Sequence, residues 1–196
     1  MATANSRRNK DALGSDLYTT PSWAVEALLK REGFSGDILD AGCGKGAISD
    51  VLLAGGYKDV VGIDLHDWGY GQPGIDFLQY QESHDNVVSN PPFSILNEFI
   101  LQALKLAKNK VAIFARINAL ESQNRFRDIY KVHQPARVYS FVNRVKCMKG
   151  GHDDGTSSAV FYCWTVWDLK KKSNVTELHW IDDKPPRKPT TTKNGG

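Results

Sequence analysis

Short apolar runs bounded by glycine or acidic residues alternate along this chain with stretches whose apolar residues recur every three or four positions. Thr20-Pro21-Ser22 is a helix start signal, and the apolar residues after it predict a helix over 23–29. Gly33 and Gly36 end that helix, and 37–41 reads as a short buried strand entering a glycine loop. A second helix is expected from about 46 to 53, after which Gly55-Gly56 breaks the chain before a second buried strand, 60–64, that closes on an acid.

Residues 65–74 form a glycine-rich loop, 75–77 a short third strand, and 86–89 a fourth strand that delivers Asn90. A strongly amphipathic helix is predicted at 95–107, a fifth strand at 110–115 and a charged helix at 119–130. The last two strands, 138–142 and 158–168, pair across a long basic, glycine-rich loop at 143–156. Strands alternating with helices at this spacing predict an α/β fold: an open, mostly parallel, seven-stranded sheet with helices on both faces and an antiparallel C-terminal hairpin.

The length of 196 residues suits one domain, placed at 17–183 between a basic N-terminal segment, 1–16, and a basic tail, 184–196, whose Pro, Thr and Gly content predicts disorder. The net charge of +3 hides an asymmetry. Seven of the 25 basic residues and none of the 22 acidic ones fall in 1–10 and 184–196, so the body carries −4 and the ends favour a polyanion. No apolar run approaches the roughly 18 residues needed to cross a bilayer, and the polar start lacks a signal core, so a cytosolic protein without membrane contact is expected. Cys43, Cys147 and Cys163 are odd in number and widely spaced, indicating neither a disulfide framework nor a metal site.

Two constellations carry chemistry. In Asn90-Pro91-Pro92-Phe93, proline fixes its own φ and pushes the preceding residue into extended geometry, so the Asn90 amide is presented at a turn. Pro91 adds a carbonyl acceptor without an N–H, and Phe93 can lie flat against a base; alone, the segment is equally a turn that ends a strand. The second constellation is Asp40-Ala41-Gly42-Cys43-Gly44-Lys45-Gly46, at the junction of strand and helix where glycine lets the backbone approach a ligand. Asp64 follows 20 residues after Gly44, the spacing of an acid that accepts hydrogen bonds from ribose hydroxyls. Gly42-x-Gly44-x-x-Ala47 also fits a dinucleotide fingerprint, but Asp40 beside the loop suits a ligand cation better than a pyrophosphate, and Asn-Pro-Pro-Phe has no task in hydride transfer. Lys45 is not followed by Ser or Thr, which excludes a P-loop.

On these residues the chain resembles the class I S-adenosylmethionine-dependent methyltransferases of the amino-methylating branch, typified by DNA adenine N6-methyltransferases and including small forms carried by phages and prophages. The resemblance spans nearly all of 17–168 and implies a Rossmann-like methyltransferase fold with S-adenosyl-L-methionine as cofactor. It implies that Asn90, Pro91, Pro92 and Phe93 form the catalytic motif, with Asn90 also beside the cofactor. Asp40, Ala41, Gly42 and Gly44 match the cofactor loop, Asp64 the ribose acid with Leu65 beside it, Asp76 and Phe77 the adenine contacts, and Tyr18, Thr20 and Pro21 an upstream cofactor element.

The implied reaction is direct in-line methyl transfer to the exocyclic N6 amine of adenine in DNA, a base that must be flipped out or single-stranded. RNA adenine is the alternative acceptor, because Asn90 with Phe93 also occurs in enzymes acting on RNA; cytosine N4, protein glutamine and a non-catalytic cofactor-binding subunit rank lower. Larger DNA methyltransferases carry a separate target-recognition domain, so specificity is expected from loops or a partner protein. The candidate loops are 65–74, 118–135 with Arg125 and Arg127, and 143–156 with Arg144, Lys146 and Lys149.

Overall fold

The computed structural model describes residues 17–149, 160–171 and 174–184. The expected basic N-terminal segment, the basic tail beyond Lys184 and the glycine-rich part of the 143–156 loop lie outside the described residues. Among these residues, four α-helices and nine β-strands follow in order: β1 (Tyr18–Thr19), α1 (Ser22–Leu29), β2 (Ile38–Ala41), α2 (Ala47–Ala54), β3 (Val60–Ile63), β4 (His84–Ser89), α3 (Leu96–Leu106), β5 (Ala107–Arg116), α4 (Gln123–Arg125), β6 (Arg137–Phe141), β7 (Met148–Lys149), β8 (Tyr162–Asp168) and β9 (Glu177–Ile181).

Seven strands form one sheet in the order β3-β2-β4-β5-β8-β6-β9. β8 is antiparallel to both its neighbours, β5 and β6, while every other pairing in this sheet is parallel. The alternation of side chains along a strand divides the core between the two faces. Ile38, Val88, Ala112 and Phe114 face α1 and α2, whereas Leu39, Val87, Val111 and Ile113 face α3. On α3 the buried residues Leu96, Phe99, Ile100, Ala103 and Leu106 recur at helical spacing, which seats one stripe on the sheet. Trp164 anchors the first face by donating its indole N–H to the Ala24 carbonyl at 2.9 Å.

The sheet has the expected number of strands but not the expected membership. Residues 75–77 are no strand: the Asp76 carboxylate accepts from Leu78 N at 3.0 Å and caps a 3₁₀ turn, Phe77–Gln79. The seventh place is taken by β9, an edge strand parallel to β6. The expected helix 119–130 is also broken. A 3₁₀ turn, Ile117–Leu120, precedes a one-turn α4 capped by the Ser122 hydroxyl, which runs into a π-helical turn, Phe126–Tyr130. Arg125 causes much of this departure. It is buried, its Nε donates to Asn97 Oδ1 at 2.7 Å, and its Nη1 donates to the Ala119 carbonyl.

At the end of the sheet where β5 and β6 begin, buried Glu32 accepts from Lys110, Arg137 and Tyr139. Burial alone would raise its pKa, but these three donors together hold it below the usual value. Among the described residues no helix is long and apolar enough to cross a membrane.

Candidate active site

In an open parallel sheet, ligands gather where strands end at their carboxyl side. Here β2 runs out into the glycine loop, β4 into Asn90, and its neighbour β5 ends on Arg116. The loop is a tight backbone structure. Gly42 N and Cys43 N donate to the Ile63 carbonyl at 2.8 and 3.0 Å, and Gly46, at φ 83°, starts α2. A Cβ on Gly46 would lie 2.4 Å from the Tyr70 ring, so side-chain-free backbone is required there.

Asp64 holds this loop from behind. Its Oδ2 accepts from Gly44 N at 2.9 Å and its Oδ1 from His66 N at 2.8 Å. Each oxygen keeps a second lone pair for a further donor. Asp40 is more strained chemically. Its Oδ2 accepts from Ser49 N at 3.1 Å and Ser49 Oγ at 2.7 Å, while its fully buried Oδ1 has no partner among the described residues. Burial, opposed by the Ser49 bonds and reinforced by Asp64 and Asp50, pushes the Asp40 carboxyl up to about 7. Such an orphaned acceptor fits a ligand ammonium, whose charge would satisfy Oδ1 and ionise the group. Burial, with Asp40 and Asp64 nearby, pushes the Cys43 thiol up to about 12, so it fills space in the loop as a neutral side chain.

Two cavities meet at Asn90. The first, about 20 Å³, lies between Leu17–Thr20 and the glycine loop, with Asp40, Gly42, Gly44 and Asn90 in its wall. The Leu17–Thr20 strap narrows this space against the glycine loop. That strap is held by the antiparallel pairing of β1 with β7, which sets Tyr18 against Lys149. The second cavity, about 310 Å³, is walled by Tyr18, Asn90, Pro91, Pro92, Phe93, Ser94, Leu96, Ala115, Arg116 and Tyr162.

Asn90 separates these spaces with a defined orientation. Its Nδ2 donates to the Tyr18 carbonyl and to Thr20 Oγ1, both at 3.0 Å. A carbonyl can only accept, so the nitrogen must face the strap and Oδ1 is left as an acceptor. Phe93 is 49% exposed, with the Arg116 guanidinium 5.6 Å from its ring centroid.

The expected site residues are therefore only partly gathered. Tyr18, Thr20, Asp40, Gly42, Gly44 and Asn90 line the small cavity and Asn90 to Phe93 the large one, whereas Pro21, Ala41, Asp64, Leu65, Asp76 and Phe77 line neither. Phe77 is buried against Phe99, with centroids 4.3 Å apart, because its ring completes the core under α3. Arg125, expected at the substrate, is buried, bonded to Asn97 and Ala119, and outside both cavity walls. Arg144 and Lys146 are described but stand outside both cavity walls. Arg116 and Tyr162 were not among the expected residues; the end of a parallel strand beside the Asn90 strand was the available signal for Arg116.

No protein-family model matches the chain, and no curated protein matches it. Solved structures do. A "putative RNA methyltransferase" from Pyrococcus horikoshii is 18% identical, with 78% of this chain and 86% of that one covered and a TM-score of 0.56. The modification subunit of a "putative type I restriction enzyme" from Vibrio vulnificus is 13% identical, with a TM-score of 0.58; the match covers 90% of this chain and half of that one. A dimethyladenosine transferase from Plasmodium falciparum is 16% identical, with 78% and 62% covered and a TM-score of 0.51. The chain has a Rossmann-like methyltransferase fold.

Proposed function

We propose that this chain is an S-adenosylmethionine-dependent methyltransferase acting on the exocyclic N6 amine of adenine, with DNA as the acceptor. The observation that carries this proposal is Asn90, which stands in the walls of both cavities with its amide nitrogen tied to the strap. Its Oδ1 and the Pro91 carbonyl are then the acceptors for the two amine hydrogens. An aryl amine shares its lone pair with the ring, and drawing its hydrogens toward two fixed acceptors localises that pair for attack. Phe93 offers a face on which the base stacks.

The residues around the small cavity fit the proposed cofactor. S-adenosylmethionine supplies an electrophilic methyl on a sulfonium. Asp40 Oδ1 would accept from its ammonium, the glycine loop would admit its backbone-like portion closely, and Asp64 would turn its spare lone pairs to the ribose. Tyr18 and Thr20 would bound the cofactor from the strap side. Asn90 then holds the acceptor nitrogen at the boundary between the cavities, so that approach is in line.

RNA is the second acceptor class, favoured by the RNA methyltransferase and dimethyladenosine transferase among the structural neighbours. A partner protein that contributes target specificity belongs to the same proposal. Incubation with labelled S-adenosylmethionine and either DNA or RNA, followed by nucleoside analysis, tests the reading: label in N6-methyldeoxyadenosine is expected, and label in RNA alone overturns the DNA assignment.

A further inference from the structure

Phe161 directly precedes Tyr162, which lines the large cavity, and its carbonyl accepts from Ile117 N at 2.9 Å, next to Arg116. The Phe161 ring is 49% exposed, as exposed as Phe93. The Arg144 guanidinium lies 5.6 Å from its centroid, repeating the Arg116–Phe93 arrangement beside the cavity. Arg144 is exposed, while its neighbour Val145 is fully buried. Two half-exposed rings, each with a guanidinium alongside, thus belong to chain segments that meet at the end of β5.

We propose that Phe161 and Arg144 form a subsite for the nucleotide flanking the acceptor base, so that the cavity engages a single strand and not a lone base. The proposal rests on the nucleic-acid reading above. A ring face stacks any base without sequence preference, and a guanidinium beside it pairs with the adjoining phosphate or stacks on the same base. Phe93 would take the acceptor and Phe161 its neighbour. The pairing of flat apolar faces with cations suits a polyanion of flat bases.

Fluorescence anisotropy with the full chain and labelled 12-residue oligo(dA) and oligo(rA) single strands tests this. Phe161→Ala should weaken single-strand binding about tenfold, and Phe161→Trp should restore it. Arg144→Gln should reduce the slope of log K against log salt by about 0.7, the loss of one phosphate contact. Binding of S-adenosylhomocysteine should be unchanged in all three variants. Wild-type affinity in Phe161→Ala, a Trp variant no better than the Ala variant, or failure of the wild-type chain to bind either strand overturns the subsite. Methyl transfer to bulk DNA and RNA, measured in parallel, separates the two claims. Transfer by a Phe161→Ala chain that binds like wild type leaves the function standing without the subsite. A wild-type chain that methylates neither polymer defeats the function itself.

Discussion

The Asn90 side-chain nitrogen donates to the Tyr18 carbonyl at 3.0 Å, tying together residues 72 positions apart and fixing which way the amide faces. One bond thereby couples the strap over the small cavity to the wall of the large one. Asn90→Ala removes both the tie and the acceptor. Methyl transfer should fall by about a hundredfold or more, the scale for loss of one positioned polar group at a transition state. Asn90→Asp should be little better, because a carboxylate would face the Tyr18 carbonyl with no hydrogen to donate. Calorimetry should still detect cofactor binding to Asn90→Ala; activity near the wild-type level would remove Asn90 from the chemistry.

Asp40 predicts a pH dependence with a definite sign. Its carboxyl rises from an ordinary value of 3.8 to about 7 in the fold, chiefly through burial. The folded chain therefore favours the protonated form. This contribution to stability is fully present below pH 4 and is lost as pH rises through about 7. An ammonium ligand needs the ionised form, so S-adenosylmethionine affinity should show the opposite trend, falling about tenfold per unit below pH 7. Asp40→Asn should flatten that profile. Calorimetric titration across pH 5.5–8 measures both effects, and a wild-type affinity independent of pH would contradict the role given to Oδ1.

Asp64 has two tasks that substitution can divide. Asp64→Ala should cost about 1–3 kcal/mol of stability, because the Gly44 N–H loses its buried acceptor. It should also weaken cofactor binding markedly. Asp64→Asn keeps an oxygen for Gly44, so it should recover more stability than affinity. Denaturant unfolding and calorimetry read the two quantities, and unchanged affinity in Asp64→Ala would refute the ribose contact.

Arg125 is expected to matter for folding alone. Arg125→Ala leaves Asn97 Oδ1 and the Ala119 carbonyl without their donor, a loss of about 2–4 kcal/mol for two bonds to a charged group. Thermal unfolding should move down while KM for nucleic acid stays within about twofold. A large change in KM without loss of stability would return Arg125 to the substrate surface.

Features governed by local pattern were legible in the sequence. The glycine loop, α3 and the strand delivering Asn90 each follow from neighbouring residues, as does the alternation that builds a mostly parallel sheet. Features set by distant partners were not. β9 alternates Leu178 and Trp180 with polar Glu177 and His179, yet all four are exposed at the sheet edge, so its place is set by pairing with β6 and not by a buried face. β1 and β7 are two residues each and exist through their mutual pairing. Residues 75–77 have apolar ends that imitate a strand, yet the Asp76 side chain satisfies a turn instead. At 119–130 apolar spacing suggests one helix, but the Ser122 cap and the inward Arg125 set a new start. In the site, Asn90 and Asp40 were visible through their motifs, whereas Arg116 and Tyr162 come together only when β5 pairs with β8.

Mass spectrometry of nucleosides from the DNA of cells expressing either the wild-type chain or Asn90→Ala tests the acceptor most directly. N6-methyldeoxyadenosine should appear with the wild-type chain and be absent with the variant. DNA left unmodified by the wild-type chain, with Asn90-dependent methyl groups found in RNA or on protein glutamine, would contradict the assignment of DNA adenine.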